Sequence, residues 1–191
     1  MIVFIVLVTL LILYIVYENH TRNKELLKYA QTDALTGLYN KETTEQLTDE
    51  LLSEDENKYH VFLILDVDCF KQINDIYGHA VGDIVLQKFG KLLKGTFREG
   101  DILGRIGGDE FGVIMKNIQT KDIAMKKAEE LLAKTQAYKI DELKGNNISI
   151  SIGISTAPQD GDCYMDLYKR ADQALYQAKR SGKARVCNYF S

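Results

Sequence analysis

The segment that decides the fold runs from Ile102 to Met115 and reads Ile-Leu-Gly-Arg-Ile-Gly-Gly-Asp-Glu-Phe-Gly-Val-Ile-Met. Its two short apolar runs, 102–106 and 111–115, lie on either side of the tetrapeptide Gly107-Gly108-Asp109-Glu110. Short apolar runs separated by a glycine-containing turn are typical of a β-hairpin. The sequence therefore predicts a hairpin with two adjacent carboxylates in or beside its turn.

A second acidic group follows the apolar run His60–Leu65, which is short and continuous, as expected for a strand buried on both faces. This run leads directly into Asp66-Val67-Asp68. Burying either carboxylate without a partner would cost several kcal/mol, so a positive group is expected nearby. If this strand lies beside the hairpin, three or four carboxylates converge, and such hard oxygen ligands suit Mg²⁺ or Mn²⁺.

The paired glycines Gly107 and Gly108 add a second property, because backbone without a Cβ atom can approach phosphate oxygens closely. Carboxylates, a divalent cation and a glycine turn together favour phosphoryl or nucleotidyl transfer. The alternative is that the acidic residues form ordinary solvated turns.

The rest of the pattern predicts an α+β fold, in which helices cover a mostly antiparallel central sheet. Alternation of isoleucine with small residues over 148–155 predicts a half-buried strand, and Arg185–Asn188 is a further strand candidate. The predicted helices are Glu42–Ser53, Val81–Leu93, Ala124–Leu132 and Tyr164–Ala178, the last ended by Gly182.

The stretch Met1–Tyr17 carries no charge, which predicts an N-terminal transmembrane helix. A helix of this length spans about 26 Å, at the short end for a hydrocarbon core of about 30 Å. We expect a juxtamembrane linker helix over 18–31 and one domain over 32–191. Two alternatives are a buried soluble helix and a secretory signal peptide, although a basic n-region and a small-residue cleavage site are missing.

The basic residues Arg22, Lys24 and Lys28 follow the apolar stretch, so the positive-inside rule predicts a single-pass protein of the inner (cytoplasmic) membrane with its domain in the cytoplasm. The 191 residues are 46% hydrophobic and 27% charged, enough for one domain with a core. A net charge of −3 argues against a nucleic acid polymer as partner. Three scattered cysteines argue against a disulfide framework.

Four blocks occur in one consistent order: Asp33–Asn40, Asp66–Asp83, Arg105–Phe111 and Ala171–Lys179. Within them stand Asp-Ala-Leu-Thr-Gly-Leu-Tyr-Asn, Asp-Val-Asp-Cys-Phe-Lys-Gln-Ile-Asn-Asp, and Arg-Ile-Gly-Gly-Asp-Glu-Phe. Together they resemble the motifs of the GGDEF family of diguanylate cyclases. The resemblance implies a ferredoxin-like palm of the nucleotidyl cyclase type. It also implies condensation of two GTP molecules into cyclic di-GMP with release of two pyrophosphates.

Carried over by motif position, the resemblance implies a Mg²⁺ (or Mn²⁺) site formed by Asp66, Asp109, Glu110 and the carbonyl oxygen of Val67. Asp109 or Glu110 would help to deprotonate the ribose 3′-hydroxyl, and Lys71 would stabilise the transition state. Because each site holds one GTP, catalysis would need a homodimer with facing half-sites.

For the substrate, the resemblance implies that Asn74 and Asp83 read the guanine base, since adenine lacks the donor pattern that pairs with a carboxylate. The remaining expected nucleotide contacts are the backbone at Cys69, Phe70, Gly107 and Gly108, and the side chains of His79, Lys179 and Lys183. Two alternatives stay open: His79 orders its loop, and the two lysines are solvated residues at a helix end.

An Arg-x-x-Asp pair, Arg98 and Asp101, stands where the family has an inhibitory site for its product, cyclic di-GMP. The family's supporting arginine on the next helix is not evident, because Lys126, Lys127, Glu129 and Glu130 occupy that stretch. Feedback inhibition is therefore expected to be weak. Two further hypotheses are a non-catalytic module that binds GTP or cyclic di-GMP, and a cyclase of altered base selection.

Overall fold

One five-stranded sheet organises the chain, in a computed structural model that describes residues 12–19, 22, 30–54 and 58–189. The strands are β1 (His60–Val67), β2 (Ile102–Arg105), β3 (Glu110–Met115), β4 (Ile150–Ala157) and β5 (Val186–Asn188). Their order across the sheet is β2-β3-β1-β4-β5. All neighbours are antiparallel except β4 and β5, which are parallel. The mostly antiparallel sheet and the predicted hairpin are confirmed.

Helices cover both faces of this sheet. They are α1 (Lys41–Glu54), α2 (Phe70–Tyr77), α3 (His79–Lys94), α4 (Lys121–Ala137) and α5 (Tyr164–Arg180), with a short 3₁₀ turn at Asp141–Leu143. One apolar cluster joins the sheet to α3 and α4, and a second joins it to α1 and α5. Strand β1 is buried on both faces because it lies between the two clusters.

Two details differ from the sequence prediction. Strand β4 was predicted to be half-buried, but all of its residues are buried. Its polar face lies beneath α5, where the Ser155 hydroxyl donates to the carbonyl oxygen of Leu167. Helix α2 was not predicted, although Phe70, Ile73 and Tyr77 recur at helical spacing and pack on the core as partly buried side chains.

The N-terminal predictions fall largely on residues that the structure does not describe. Residues 1–11 of the expected transmembrane helix lie outside the described residues, as do most of residues 18–31. Residues 12–19 are helical and exposed. Among the described residues, no helix combines the length and apolar character needed to cross a bilayer.

Candidate active site

The sheet register brings the two acidic segments together. Asp66, near the end of β1, lies directly opposite Glu110, the first residue of β3. Directly opposite residues of an antiparallel pair place their side chains on the same face of the sheet. The next backbone N–H, that of Val67, donates to the carbonyl oxygen of Asp109 at 3.2 Å. The condition set for convergence of the carboxylates, that the strand lies beside the hairpin, is therefore met.

A positive group lies beside Asp66, as the burial argument required. Lys179, in the last turn of α5, places its Nζ atom 2.7 Å from Oδ2 of Asp66. The side chain of Asp66 is 10% exposed and that of Lys179 is 35% exposed. Sequence reasoning assigned Lys179 to phosphate contact and did not foresee this pair.

The position of Lys179 depends on a glycine in β4. A Cβ atom added to Gly153 would collide with the carbonyl oxygen of Ala171 and the backbone nitrogen of Leu175, both in α5. Helix α5 therefore lies directly on the backbone of β4, with Ala171, Ala174 and Ala178 buried along its inner face. This close approach brings the last turn of α5 to the acidic end of β1.

Negative charge is only partly compensated at this edge of the sheet. Burial raises the pKa of Asp66, and the nearby charges of Asp109 and Asp68 add to the rise, while Lys179 opposes it. Burial also raises the pKa of Glu110, with further contributions from Asp66, Asp109 and Asp172. The ionised forms of Asp66 and Glu110 would thus be stabilised by additional positive charge.

Asp68 behaves differently from Asp66, although only one residue separates them. Its buried carboxylate accepts hydrogen bonds from the Ser149 hydroxyl (2.7 Å), the Ser151 hydroxyl (2.7 Å) and the backbone N–H of Ala184 (3.1 Å). These bonds join the end of β1 to β4 and to the turn after α5. Asp68 is therefore a structural anchor.

The two signature glycines have different surroundings. A Cβ atom on Gly107 would lie 2.8 Å from Oε2 of Glu110, whereas one on Gly108 would meet nothing within 4 Å. Gly107 thus leaves room for the Glu110 carboxylate to fold back over the turn. Gly108 is the exposed position at which backbone is accessible to a ligand. The expectation that both glycines contact phosphate stays a prediction.

The expected guanine-reading residues lie at the α2–α3 junction. A Cβ atom on Gly82 would collide with Oδ1 of Asn74 and lie 3.2 Å from the Phe70 ring. Gly82 therefore accommodates the Asn74 amide, whose buried Oδ1 has no hydrogen-bond partner among the described residues. Asp83 follows Gly82 and is exposed, and His79 is exposed at the first position of α3.

The start of α2 carries further expected nucleotide contacts. Cys69 has a left-handed backbone with φ 58° and precedes Phe70, the first helical residue. The first N–H groups of a helix have no partner within the helix, so they are available to an anion. Lys71 is exposed in this first turn. Lys183, in the turn after α5, extends toward the start of α2 and places its Nζ atom 3.1 Å from the Cys69 sulfur.

Arg105 connects the hairpin to the segment that enters the domain. Its guanidinium donates to the carbonyl oxygen of Gly108 at 2.7 Å and lies 3.1 Å from Oδ2 of Asp33. Burial disfavours the charged form of Asp33, but the hydrogen bonds from Thr36 and the Arg105 charge outweigh it and lower the pKa of this carboxyl. Both residues stood in the recognised motifs, but sequence reasoning gave neither a role.

The predicted product site has one accessible member. The side chain of Asp101 is 2% exposed and accepts hydrogen bonds from the backbone N–H groups of Arg98 and Lys116, whereas the Arg98 side chain is 63% exposed. A cavity of about 340 Å³ beside them is lined in part by Ile123 and Lys127. Lys127, which forms an ion pair with Glu130, therefore supplies a second cation next to Arg98.

The donor chemistry around Asp66 fits a divalent cation. Carboxylates and a backbone carbonyl oxygen are the hard ligands that Mg²⁺ and Mn²⁺ prefer. Burial is the main cause of the raised pKa values of Asp66 and Glu110, and neighbouring carboxylates add to it. These carboxylates are not gathered tightly. The one set of three acidic or thiol groups found within 4.8 Å of one another in the described part of the chain is Asp162, Cys163 and Asp166, at the start of α5.

The sheet, its glycine hairpin and the helices on both faces form a palm-like α+β fold. The chain belongs to the GGDEF family: the family model described as diguanylate cyclase, GGDEF domain, matches residues 30–185. The resemblance seen in the four sequence blocks is thereby confirmed.

Among curated proteins, diguanylate cyclase A of Treponema denticola is 38% identical over 170 residues, which cover 86% of this chain and 46% of that protein. The response regulator PleD of Caulobacter vibrioides is 37% identical over 177 residues, 89% of this chain and 39% of that protein. The chain thus spans about half or less of the length of these curated relatives.

Two solved structures have the same fold. The coiled coil and GGDEF domain of DgcB from Caulobacter crescentus, in complex with c-di-GMP, aligns with a TM-score of 0.83 at 24% identity, covering 91% of this chain and 93% of that one. The GGDEF domain of TpbB (YfiN) from Pseudomonas aeruginosa aligns with a TM-score of 0.78 at 32% identity, covering 83% and 94%.

Proposed function

We propose that this chain is a diguanylate cyclase that condenses two GTP molecules into cyclic di-GMP and releases two pyrophosphates. The observation that carries the proposal is the cross-strand pairing of Asp66 with Glu110 beside Asp109. Membership of the GGDEF family, whose model is described by this activity, supports the same conclusion.

Asp66, Asp109, Glu110 and the Val67 carbonyl oxygen would hold Mg²⁺ or Mn²⁺. When bound, the cation would lower the pKa of the ribose 3′-hydroxyl and neutralise charge at the α-phosphate. Asp109 or Glu110 would accept the hydroxyl proton. Their neighbour Asp68 would not take part, because its oxygens already accept three hydrogen bonds.

The nucleotide would lie between the start of α2 and the α2–α3 junction. Lys71, Lys183 and the first N–H groups of α2 would contact its phosphates, and Asn74 with Asp83 would recognise guanine. A carboxylate at position 83 favours the N1–H and 2-amino donors of guanine over adenine, which would leave it unpaired. His79 is exposed at the same junction and would contact the base or order the loop.

One chain supplies half of what the reaction requires, since each nucleotide must attack the other. We therefore propose a homodimer with facing half-sites. We also propose that residues 1–17 anchor the chain in the cytoplasmic membrane with the domain in the cytoplasm, since this stretch carries no charge. Arg98, with Lys127 nearby, would bind cyclic di-GMP as an inhibitor.

The test is incubation of the full chain with GTP and Mg²⁺, followed by chromatography of the products. Cyclic di-GMP and pyrophosphate are expected, with little product from ATP. Specific activity should fall on dilution, because the reaction needs two copies. Binding of GTP without any product would instead identify a non-catalytic module, and equal use of ATP would contradict the role of Asp83.

The subsidiary proposals have separate tests. Arg98→Ala should relieve inhibition by added cyclic di-GMP and leave the initial rate intact. The full chain should sediment with membranes, and deletion of residues 1–17 should release it. A chain that stays in the supernatant would contradict the anchor without affecting the proposed activity.

A further inference from the structure

The cation that pairs with Asp66 in this structure is an ammonium group of the chain itself. The distance from Lys179 Nζ to Asp66 Oδ2 is 2.7 Å, which is that of a charge-assisted hydrogen bond. Asp66 is fixed in a strand and mostly buried, whereas Lys179 is 35% exposed on a flexible stem. Lys179 is therefore the partner that can move.

Other charged groups of the site are already bound elsewhere. Asp68 accepts three hydrogen bonds, Arg105 is held by Asp33 and the Gly108 carbonyl oxygen, and Lys183 contacts the Cys69 sulfur. Among the described residues, Lys179 supplies the ion pair of Asp66. A cation that binds Oδ2 of Asp66 must therefore compete with Lys179.

We propose that Lys179 and a divalent metal ion occupy Asp66 alternately, and that the ammonium group moves to the nucleotide's phosphates when the metal binds. The inference rests on the proposed function, since GTP is the ligand that would receive the released ammonium. Lys179 contacts Oδ2 of Asp66. Two cations on the same carboxylate oxygen repel each other strongly at such short range, so a metal ion that binds Oδ2 excludes Lys179 from it.

This alternation couples the binding of the metal ion to the binding of the nucleotide. A nucleotide that draws Lys179 away from Asp66 raises the affinity for the metal, and by thermodynamic linkage the metal raises the affinity for the nucleotide by the same factor. The site would thus bind a metal and a nucleoside triphosphate together in preference to either alone. Meanwhile Lys179 keeps the buried carboxylate compensated.

The experiment measures Mn²⁺ binding to the full chain without nucleotide, by the electron paramagnetic resonance signal of free Mn²⁺. Lys179→Gln should raise Mn²⁺ affinity about fivefold or more, the lower end of typical coupling between ligands. Lys179→Arg keeps the ion pair and should bind as the unmodified chain does. Lys183→Gln removes the same charge nearby without touching Asp66 and should change affinity little.

A second measurement uses the unmodified chain and does not depend on how the variants fold. Saturating Mg²⁺ should increase acetylation of the Lys179 amine relative to that of Lys183, read by mass spectrometry. Unchanged labelling of Lys179 would overturn the inference. So would Mn²⁺ affinity that does not rise in folded Lys179→Gln, or that rises equally in Lys183→Gln.

These outcomes are separable from the proposed activity. If the chain makes cyclic di-GMP but neither result is obtained, the alternation fails and the proposed function stands. If both results are obtained but GTP yields no product, the proposed function fails instead.

Discussion

Asp66 lies near the end of β1 and Asp68 directly follows that strand, yet the two carboxylates have opposite surroundings. Asp68 is surrounded by three donors that match its oxygens. Asp66 faces Glu110 and Asp109 and has one ammonium partner. Asp68 stabilises the fold as a hydrogen-bond acceptor. Asp66 remains available because its charge is incompletely compensated. Identical side chains therefore divide, through their neighbours, into a structural anchor and a proposed metal ligand.

The largest expected effect comes from Glu110, which lies opposite Asp66 in the sheet. Glu110→Gln should reduce cyclic di-GMP formation by about 10²- to 10⁴-fold, the range associated with loss of a general acid or base. The same change should not lower stability, since burial and the nearby charges of Asp66 and Asp109 disfavour the ionised form of Glu110. Turnover and urea unfolding together check it, and retained turnover would contradict the site assignment.

The same variant has a pH signature. The pKa of Glu110 is raised above its ordinary value of 4.5, chiefly by burial, so its ionisation opposes folding. The unfolding free energy of the unmodified chain should therefore fall, relative to Glu110→Gln, as pH rises from about 4.5 through the raised pKa. Below that window the two should be equal. A difference in unfolding free energy between the two proteins that grows as pH falls would contradict a raised pKa of Glu110.

Replacing Asp68, whose charge is compensated by hydrogen bonds, should lower stability without removing a proposed metal ligand. Asp68→Ala leaves two hydroxyls and one N–H without their acceptor and should cost about 3 kcal/mol of unfolding free energy. Asp75→Ala, at an exposed position of α2, is the matched control and should stay within about 0.5 kcal/mol. Equal effects of the two changes in urea unfolding would remove the distinction between anchor and surface carboxylate.

Asp33 provides a second compensated carboxylate with the opposite pH dependence from Glu110. Because its folded pKa lies below 3.8, its contribution is present above that pH and is lost as pH falls through the folded value. Asp33→Asn should cost about 1 kcal/mol at neutral pH after allowance for solvent screening. Thermal unfolding at several pH values should show the cost disappearing in acid.

The smallest expected effect concerns the turn that supports Asp68. Ala184 donates to Asp68 with its backbone at φ 48°, a conformation that a side chain bearing Cβ rarely adopts. Ala184→Gly should gain up to about 1 kcal/mol of stability. Ala133→Gly, exposed within α4, should instead lose about 1 kcal/mol. A loss at both positions in urea unfolding would show that the left-handed turn carries no strain.

Much of the fold follows from local pattern. The continuous apolar run at 60–65 and the glycine hairpin at 107–110 predicted β1, β2 and β3. That β1 lies beside β3 was only a condition for the acidic residues to converge, and the structure meets it. Helix α2 has one apolar face, but its 8 residues are fewer than the roughly 11 to 18 over which helical periodicity is read.

The candidate site was predictable in its membership but not in its pairings. The motifs named Asp66, Glu110 and Lys179, yet their spacing along the chain says nothing of Lys179 meeting Asp66 across 113 residues. That pair depends on Gly153, which allows α5 to lie on β4. Likewise, alternation in β4 indicated an exposed face because the sequence does not show that α5 will cover it.

The Arg105 bridge has a mechanical consequence. One guanidinium holds both the carbonyl of Gly108 at the tip of the hairpin and the carboxylate of Asp33 where the chain enters the domain. Any pull or twist applied ahead of residue 33 is therefore felt at the loop that carries Asp109, unless these hydrogen bonds break first. Through this guanidinium, the geometry of the hairpin responds to the position of the polypeptide that precedes Asp33.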